Sequence, residues 1–433
     1  MLFVVLNIPQ PAMGGFMDKT KSFNISKALV YQAFKAVKAN RGSAGVDEES
    51  IQQFAEKLED NLYKLWNRMS SGCYFPPPVK AVEIPKTNGG KRILGIPTVS
   101  DRIAQMVVKL HIEPQIDRHF HRDSYGYRPE KSAEQALAET RRRCWEYDWL
   151  IDLDIKGFFD NMDHDLTMKA LRHHVTEKWV ILYVERWLKA PMAMTDGRIT
   201  QRVKGTPQGG VISPLLANLF MHYAVDKWLE REYPKNPFAR YADDAVIHCK
   251  TKEEAVMLLE ALKKRMKECC LELNSDKTRI VYCRDSNRRD PDHINISFDF
   301  LGYTFQPRKS RSKSGKIFLN FCPAISGKAK KRIKEEIRKW NLPRRTMTDL
   351  ISLARHINPQ VRGWINYYGK FYRSALNEVV EYIEYKLSMW ARKKYKRLKQ
   401  SKEKARCWLR RIRERQQSRT LFAHWNMLVT KTT

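Results

Sequence analysis

No part of the chain is apolar over anything close to the eighteen or so residues that a membrane-spanning helix needs. The first eight residues (MLFVVLNI) are apolar. They lack a basic n-region and a convincing cleavage site, so residues 1–24 read as a loose leader rather than a secretory signal. Met13 and Met17 leave room for a later start. The eight cysteines include no C-x-x-C pair, which excludes a zinc ribbon and fits a reduced, cytoplasmic protein. Acidic residues are scarce in one region. From residue 306 onward there are only 8, against 34 lysines and arginines.

The 433 residues, 42% of them hydrophobic, are enough to build two or three cores. Lys and Arg total 80 against 48 Asp and Glu, a formal charge of +32. The first 305 residues carry 46 basic and 40 acidic side chains, so a near-neutral body is joined to a strongly basic module. An excess this lopsided marks a polyanion partner. No clean amphipathic anchor accompanies it, so nucleic acid is expected and a membrane surface is not.

Hydrophobic spacing predicts helices over 26–39 and 50–69, the second capped by Asp47 of the turn-rich 41–47 connector. A strand over Val79–Pro85, a turn at 87–90 and a returning strand over Lys91–Ile96 follow. Further helices are expected near 98–114, 131–147, 163–174, 176–189, 214–230 and 251–270. Strands are expected at 150–155, 238–248, 277–283 and 297–305. Past 326 the pattern is helical and basic, with Val379, Ile383, Leu387 and Trp390 forming one apolar stripe. Ser310–Ser314 reads as a flexible joint and the domain boundary.

The chemistry gathers around Y-A-D-D at 241–244, which has strand on either side. Alone it would be an acidic surface turn. It has company in Asp152 and Asp154, which share one face of the preceding strand because side chains alternate with period two. Carboxylates on neighbouring strands suit hard divalent cations, and two such ions can clamp the attacking and leaving oxygens of a phosphoryl transfer.

The blocks V-E-I-P-K-T-N-G-G-K-R-I-L-G-I-P (82–97), Y-G-Y-R-P (125–129), D-I-K-G-F-F-D-N-M-D-H (154–164), G-T-P-Q-G-G-V-I-S-P-L-L-A-N (205–218), R-Y-A-D-D (240–244), L-N-S-D-K-T (273–278) and F-L-G-Y-T-F (300–305) occur in one order. With R-G-W-I-N-Y-Y-G at 362–369, the chain resembles a group II intron-encoded reverse transcriptase/maturase, in the form without the C-terminal endonuclease domain. The resemblance implies an α+β, right-hand polymerase with fingers, an antiparallel-sheet palm and a helical basic thumb. It places the N-terminal extension and fingers at 25–149, the palm at 150–309 with part of the fingers at 205–218, and the thumb/maturase domain at 310–433.

By the same resemblance, Asp154, Asp243 and Asp244 match the acids that hold two Mg²⁺ ions, Asp154 being preferred to Asp152. Lys277 matches a proton donor to the departing pyrophosphate. Lys86, Arg92, Gln208 and Gly209 match nucleotide-binding positions, and Phe158 a steric gate against the 2′-hydroxyl. Leu301, Gly302 and Tyr303 match the primer-grip turn. Arg362, Arg410, Arg411, Arg413 and Arg415 are expected to bind RNA; the last four lie in the 392–419 run, where fourteen basic residues surround Trp408.

The function implied is RNA-directed DNA synthesis together with binding of a group II intron RNA, splicing and target-primed mobility. The implied partners are that intron RNA, an RNA template with a DNA primer, dNTPs and target DNA, with no membrane partner. A homodimer is compatible, as is a nucleoid-associated cytoplasmic ribonucleoprotein. Two rival readings use the same residues: a domesticated reverse transcriptase of DNA repair or defence, and a non-catalytic RNA-binding splicing factor. The complete acid set argues against the second, and only the flanking DNA separates the first.

Overall fold

The computed structural model describes residues 22–85, 90–288, 295–312, 314–415 and 421–429. Most of the 1–24 leader, Lys86 and the 87–89 part of the hairpin turn lie outside the described residues. Among those described, no helix is long and apolar enough to cross a membrane. The chain divides into two compact units. One comprises the residues up to His119 together with Phe159–Phe220, and the other comprises Phe120–Phe158 and the chain from Met221 onward.

The first unit starts with helices Lys27–Asn40, Ile51–Glu56 and Leu58–Ser70. Ser26 caps the first through its hydroxyl, which accepts from the Leu29 N–H at 3.1 Å. The second is not capped by Asp47. Ser50 and Gln53 form a reciprocal capping box there, and Asp47 instead accepts from the Glu49 N–H at 3.3 Å within the preceding turn. Strands Val79–Pro85 and Lys91–Ile96 pair antiparallel from Lys80↔Ile96 to Pro85↔Lys91. Short strands Met192–Ala193 and Ile199–Thr200 extend this hairpin to four strands.

Behind the hairpin runs helix Val99–Asp117, whose first three turns are almost wholly buried. Asp101 is the polar centre of this unit. Its carboxylate accepts from Tyr74 Oη at 2.8 Å, Trp187 Nε1 at 2.7 Å and Gln105 Nε2 at 3.0 Å. Gln105 then accepts with Oε1 from the N–H groups of Val211 and Ile212, at 2.7 and 3.2 Å. A buried carboxylate thus anchors the Gly/Pro-rich 205–214 segment through one glutamine.

The second unit holds a four-stranded antiparallel sheet in the order Phe238–Tyr241, Asp244–Cys249, Trp149–Leu153, Arg279–Tyr282. Helices Ala133–Glu146 and Lys252–Glu268 pack on it. A three-stranded sheet follows, Phe298–Phe300, Tyr303–Arg311 and Ile317–Ile325. The expected joint at Ser310–Ser314 is instead the tip of a hairpin, because Tyr303–Arg311 and Ile317–Ile325 pair along their whole length from Tyr303↔Ile325 to Arg311↔Ile317.

Helices Gly327–Lys339, Leu350–Tyr368, Asn377–Lys394 and Lys402–Glu414 complete this unit. One apolar cluster runs through it without a break, from Tyr125 and Leu150 through Phe298, Phe305 and Phe321 to Val379, Ile383, Leu387 and Trp390. Phe298 stacks on Phe305 with ring centroids 4.6 Å apart. The three-stranded sheet and the helices after it therefore share one core on both sides of residue 310. The first unit takes in all of 159–220, which includes the 205–218 segment.

The Asp101 cluster has a pH signature. Burial raises this carboxyl to about 6, and its hydrogen bonds to Tyr74, Trp187 and Gln105 only partly oppose the shift. A folded value above the unfolded 3.8 means stability that is complete below pH 4 and is lost as pH rises through 6. Asp101→Asn removes this dependence. Thermal melts of variant and parent should show the variant's deficit shrinking by on the order of 2 kcal/mol from pH 4.5 to 7. A constant deficit would show Asp101 ionised throughout.

Candidate active site

The Y-A-D-D hairpin closes through the pair Tyr241↔Asp244, leaving Ala242 and Asp243 as a two-residue turn. Asp244 therefore begins the returning strand. The neighbouring pairs Asp152↔Val246 and Leu153↔Ala245 fix the register with the central strand. Carried one residue further, that register sets Asp154 opposite Asp244. Facing residues of an antiparallel pair lie on the same side of a sheet, as do residues two apart on one strand. Asp152, Asp154 and Asp244 consequently share one face, with Asp243 at the adjoining turn.

Asp154 sits just past the end of its strand, and the L-N-S-D-K-T loop holds it there. Its N–H donates to Thr278 Oγ1 at 3.2 Å, and its carbonyl accepts the Asn274 N–H at 2.8 Å. Lys277 Nζ lies 3.1 Å from both carboxylate oxygens.

Electrostatics record the crowding. Burial first, then Asp152, Asp243 and Asp154, push the Asp244 carboxyl up to about 8, with Lys277 opposing. Burial raises Asp152 to about 6 against the pull of Arg279, whose Nε stands 3.2 Å from Asp152 Oδ2. Hard oxygen donors that repel one another in a half-buried corner are the chemistry a divalent cation satisfies. In placement they form no closed cage. Among the described residues no group of three or more His, Cys, Asp or Glu is gathered tightly enough to hold a metal, and Asp154 is engaged by Lys277.

In the first unit, Arg92, Gln208 and Gly209 come together. Arg92 Nε donates to Gln208 Oε1, Gln208 Nε2 donates to Asp160 Oδ1 at 3.3 Å, and the Gln208 carbonyl accepts the Gly95 N–H at 3.0 Å. Gly209 has φ +133°, and a Cβ there would stand 2.4 Å from the Gly95 carbonyl oxygen. Phe158 is buried at the start of the short helix Phe158–Asn161. Lys86 lies outside the described residues.

The 301–303 turn bends through Leu301 at φ +50° and Gly302 at φ +80°. Tyr303 is fully buried among Tyr367, Tyr368 and Phe371, its hydroxyl donating to the Tyr367 carbonyl. Tyr367 Oη returns a bond to the Leu301 carbonyl at 2.8 Å, so the turn is fastened to helix Leu350–Tyr368. On that helix Arg362 is exposed. Arg410, Arg411 and Arg415 are exposed on or just beyond helix Lys402–Glu414. Arg413 turns toward Glu384, with Nη1 3.7 Å from Oε2.

Residues 84–305 match the family described as reverse transcriptase (RNA-dependent DNA polymerase). The chain belongs to the reverse transcriptase family. Residues 330–408 match the group II intron, maturase-specific domain, so maturase-domain helices follow the reverse transcriptase domain, as the motif order implied. Protein YkfC of Escherichia coli (strain K12) is 31% identical over 310 residues, covering 62% of this chain and 77% of that protein. Group II intron-encoded protein LtrA of Lactococcus lactis subsp. cremoris is 29% identical over 272 residues, 58% of this chain and 45% of its own length. The putative COX1/OXI3 intron 1 protein of Saccharomyces cerevisiae is 34% identical over 169 residues, 39% of this chain and 20% of its own. The chain thus spans less than half of the last two.

Asp152, set second to Asp154 in the sequence, is the leading charged neighbour of Asp244. Two residues of the candidate site were not singled out from sequence. Gln105 and Asp160 carry no local mark, since they act across 106 and 48 residues of chain.

The Gly209 geometry gives a direct test. An alanine there meets both a left-handed backbone and the Gly95 carbonyl. Gly209→Ala should lower unfolding stability by ~1–3 kcal/mol in denaturant titration. An unchanged midpoint would mean that the Gly95–Gln208 contact is not maintained in solution.

Proposed function

We propose that the protein is an RNA-directed DNA polymerase that also binds a group II intron RNA and promotes its splicing and mobility by target-primed reverse transcription. The observation that carries this reading is the shared face of Asp154 and Asp244 with Asp243 at its edge. Mg²⁺ ions held by Asp154, Asp243 and Asp244 would supply positive charge to the oxygens of the phosphoryl transfer. The polymerase reading assigns the N-terminal extension and fingers to 25–149, the palm to 150–309 with part of the fingers at 205–218, and the thumb/maturase domain to 310–433. The match of residues 330–408 to the group II intron, maturase-specific domain supports the intron RNA as partner, and the protein would work within a cytoplasmic, nucleoid-associated ribonucleoprotein.

The roles of the side chains follow from their chemistry. Arg92, with Lys86, offers a fork and a point charge to an incoming triphosphate, while Gln208 and Gly209 let nucleotide and template approach the backbone. Phe158 stands four residues beyond Asp154 and closes space that a 2′-hydroxyl would need. Lys277, bonded to Asp154, is placed to hold a proton for the departing pyrophosphate. The Leu301–Gly302–Tyr303 turn, tied to Tyr367, would steady the primer end.

Asp243→Asn keeps the shape of the turn but removes a charge. Primer extension on an RNA template should fall by ~10³–10⁵-fold while RNA binding persists. A folded variant that extends primers at the parental rate would overturn the assignment of the site.

Gly363 tests the thumb. It lies within helix Leu350–Tyr368 beside Arg362, and a Cβ there would meet nothing within 4 Å. Packing within the chain therefore does not require a glycine. Alanine should stabilise the helix by ~0.5–1 kcal/mol. If nucleic acid approaches the helix closely here, Gly363→Ala should melt higher yet bind template–primer or intron RNA more weakly in a filter assay. A higher melting temperature with unchanged affinity would remove this face from the interface.

A further inference from the structure

The turn that presents Asp243 and Asp244 is held in a conformation its own sequence disfavours. Ala242 has φ +61°, in the left-handed region that an L-residue with a side chain rarely enters. Only the first turn residue has positive φ, a position that glycine ordinarily takes in two-residue hairpins. Such a conformation persists where its surroundings over-determine it.

Two neighbours do so. The guanidinium of Arg240 curls forward, and Nη1 donates to the Ala242 carbonyl at 2.8 Å. From the other side Gly126, of Y-G-Y-R-P, lies flat on the turn. A Cβ there would stand 2.4 Å from the Ala242 nitrogen and 2.9 Å from the Tyr241 carbonyl carbon.

Arg240 is itself gripped. It is fully buried, as is Asp226, and the two form a bidentate pair, Nε to Oδ1 at 2.7 Å and Nη2 to Oδ2 at 2.6 Å. Its backbone is fixed as well. Arg240 N–H donates to the Asp123 carbonyl at 3.0 Å, and the Arg240 carbonyl accepts the Tyr125 N–H at 2.8 Å. Asp226 ends a π-helical turn, His222–Asp226, that interrupts the helix expected over 214–230. Such turns recur at functional sites. Burial opposes the charge on Asp226, and the Arg240 guanidinium outweighs it, holding the carboxyl below its ordinary value. His222 Nδ1, 3.9 Å from Asp226 Oδ2, is too distant for a hydrogen bond.

A fork fixed by one carboxylate has a remaining donor whose direction is fixed too. We propose that Arg240, oriented by Asp226, is a positioning residue of the polymerase site: it pins the left-handed Ala242 through its carbonyl and so sets where Asp243 and Asp244 point. This rests on the polymerase reading above. It adds a buried device that touches neither metal nor substrate.

A merely structural ion pair and a positioning device respond differently to one change. Replacing both charges by apolar groups of similar size, Asp226→Leu with Arg240→Met, leaves no orphaned charge, and such exchanges are often neutral for stability. The melting temperature should stay near the parental value. The turn loses its donor, so primer-extension kcat should fall about 10²-fold with little change in the dNTP KM. Mn²⁺ affinity, read by electron paramagnetic resonance of free ion, should weaken, and amide exchange at residues 242–245 should accelerate. Adding Ala242→Gly, which relieves the backbone penalty, should change the residual defect.

A folded double variant with parental kcat, Mn²⁺ affinity and exchange would overturn the proposal. If the double variant does not fold, Arg240→Lys carries the same comparison, since one ammonium cannot reproduce the bidentate pair and the third bond together. Mn²⁺ binding and amide exchange need no catalysis. A parent that extends no primer would therefore sink the polymerase reading, while these two readouts would still decide the role of Arg240.

Discussion

Like-charge repulsion among carboxylates on paired strands is the constraint that the rest of the palm serves. Asp152, Asp154 and Asp244 are brought to one side of the sheet by the pairing Leu153↔Ala245, with Asp243 beside them. Burial first, and then the neighbouring carboxylates, raise Asp244, and burial raises Asp152 as well. A flexible scaffold would relax by letting the acids swing apart. Here the strands are locked on both sides, the L-N-S-D-K-T loop bonds the Asp154 backbone, and Lys277 and Arg279 partly neutralise the group. The acids are thereby kept together, and a divalent cation would replace the proton that the raised Asp244 carboxyl retains.

Retention of that kind needs a stiff surround, and the shared core supplies it. The aromatic stack Phe298–Phe305–Phe321 joins the palm sheet to the thumb helices in one cluster. The Tyr303 and Tyr367 hydroxyls close the 301–303 turn against helix Leu350–Tyr368 by donating to the Tyr367 and Leu301 carbonyls. A thumb that moved freely on residue 310 would break those rings apart. The turn resembling a primer grip and the helix bearing Arg362 consequently act as one piece, within the same unit as the acids.

What could be read from sequence was local. Helix and strand positions followed from spacing, and the acids followed from alternation and from motif order, because those signals span a few residues. Partners outside each motif add what the local pattern does not carry. Ser310–Ser314 looked like a joint because serines and basic residues alternate there, yet Ser310 and Arg311 pair with Phe318 and Ile317 at the end of a hairpin. Asp47 looked like a cap, but Ser50 stands where the helix begins and carries the capping box. Arg413 looked like its neighbours in a basic run, but the helix turns its side chain toward Glu384. Nothing in R-Y-A-D-D itself says that its arginine meets an aspartate fourteen residues earlier.

The basic module gains its outward charge through the disposition of its few acids. Glu378 is taken by Lys330 and Lys334, which hold its carboxyl down near 2. Glu384 accepts from both His424 Nε2 and Trp425 Nε1 and faces Arg413, fastening the C-terminal segment to helix Asn377–Lys394. Asp349 caps helix Leu350–Tyr368, and Glu336 pairs with Lys339. With these acids engaged by their neighbours, 34 lysines and arginines face only 8 acids past residue 306, and Arg355, Arg362, Arg410 and Arg411 stand exposed. Exposed cations without local acids are what a phosphate backbone neutralises with release of its counterions. The same scarcity of acids that marks the sequence past residue 306 thus leaves the thumb with an electrostatic face suited to nucleic acid.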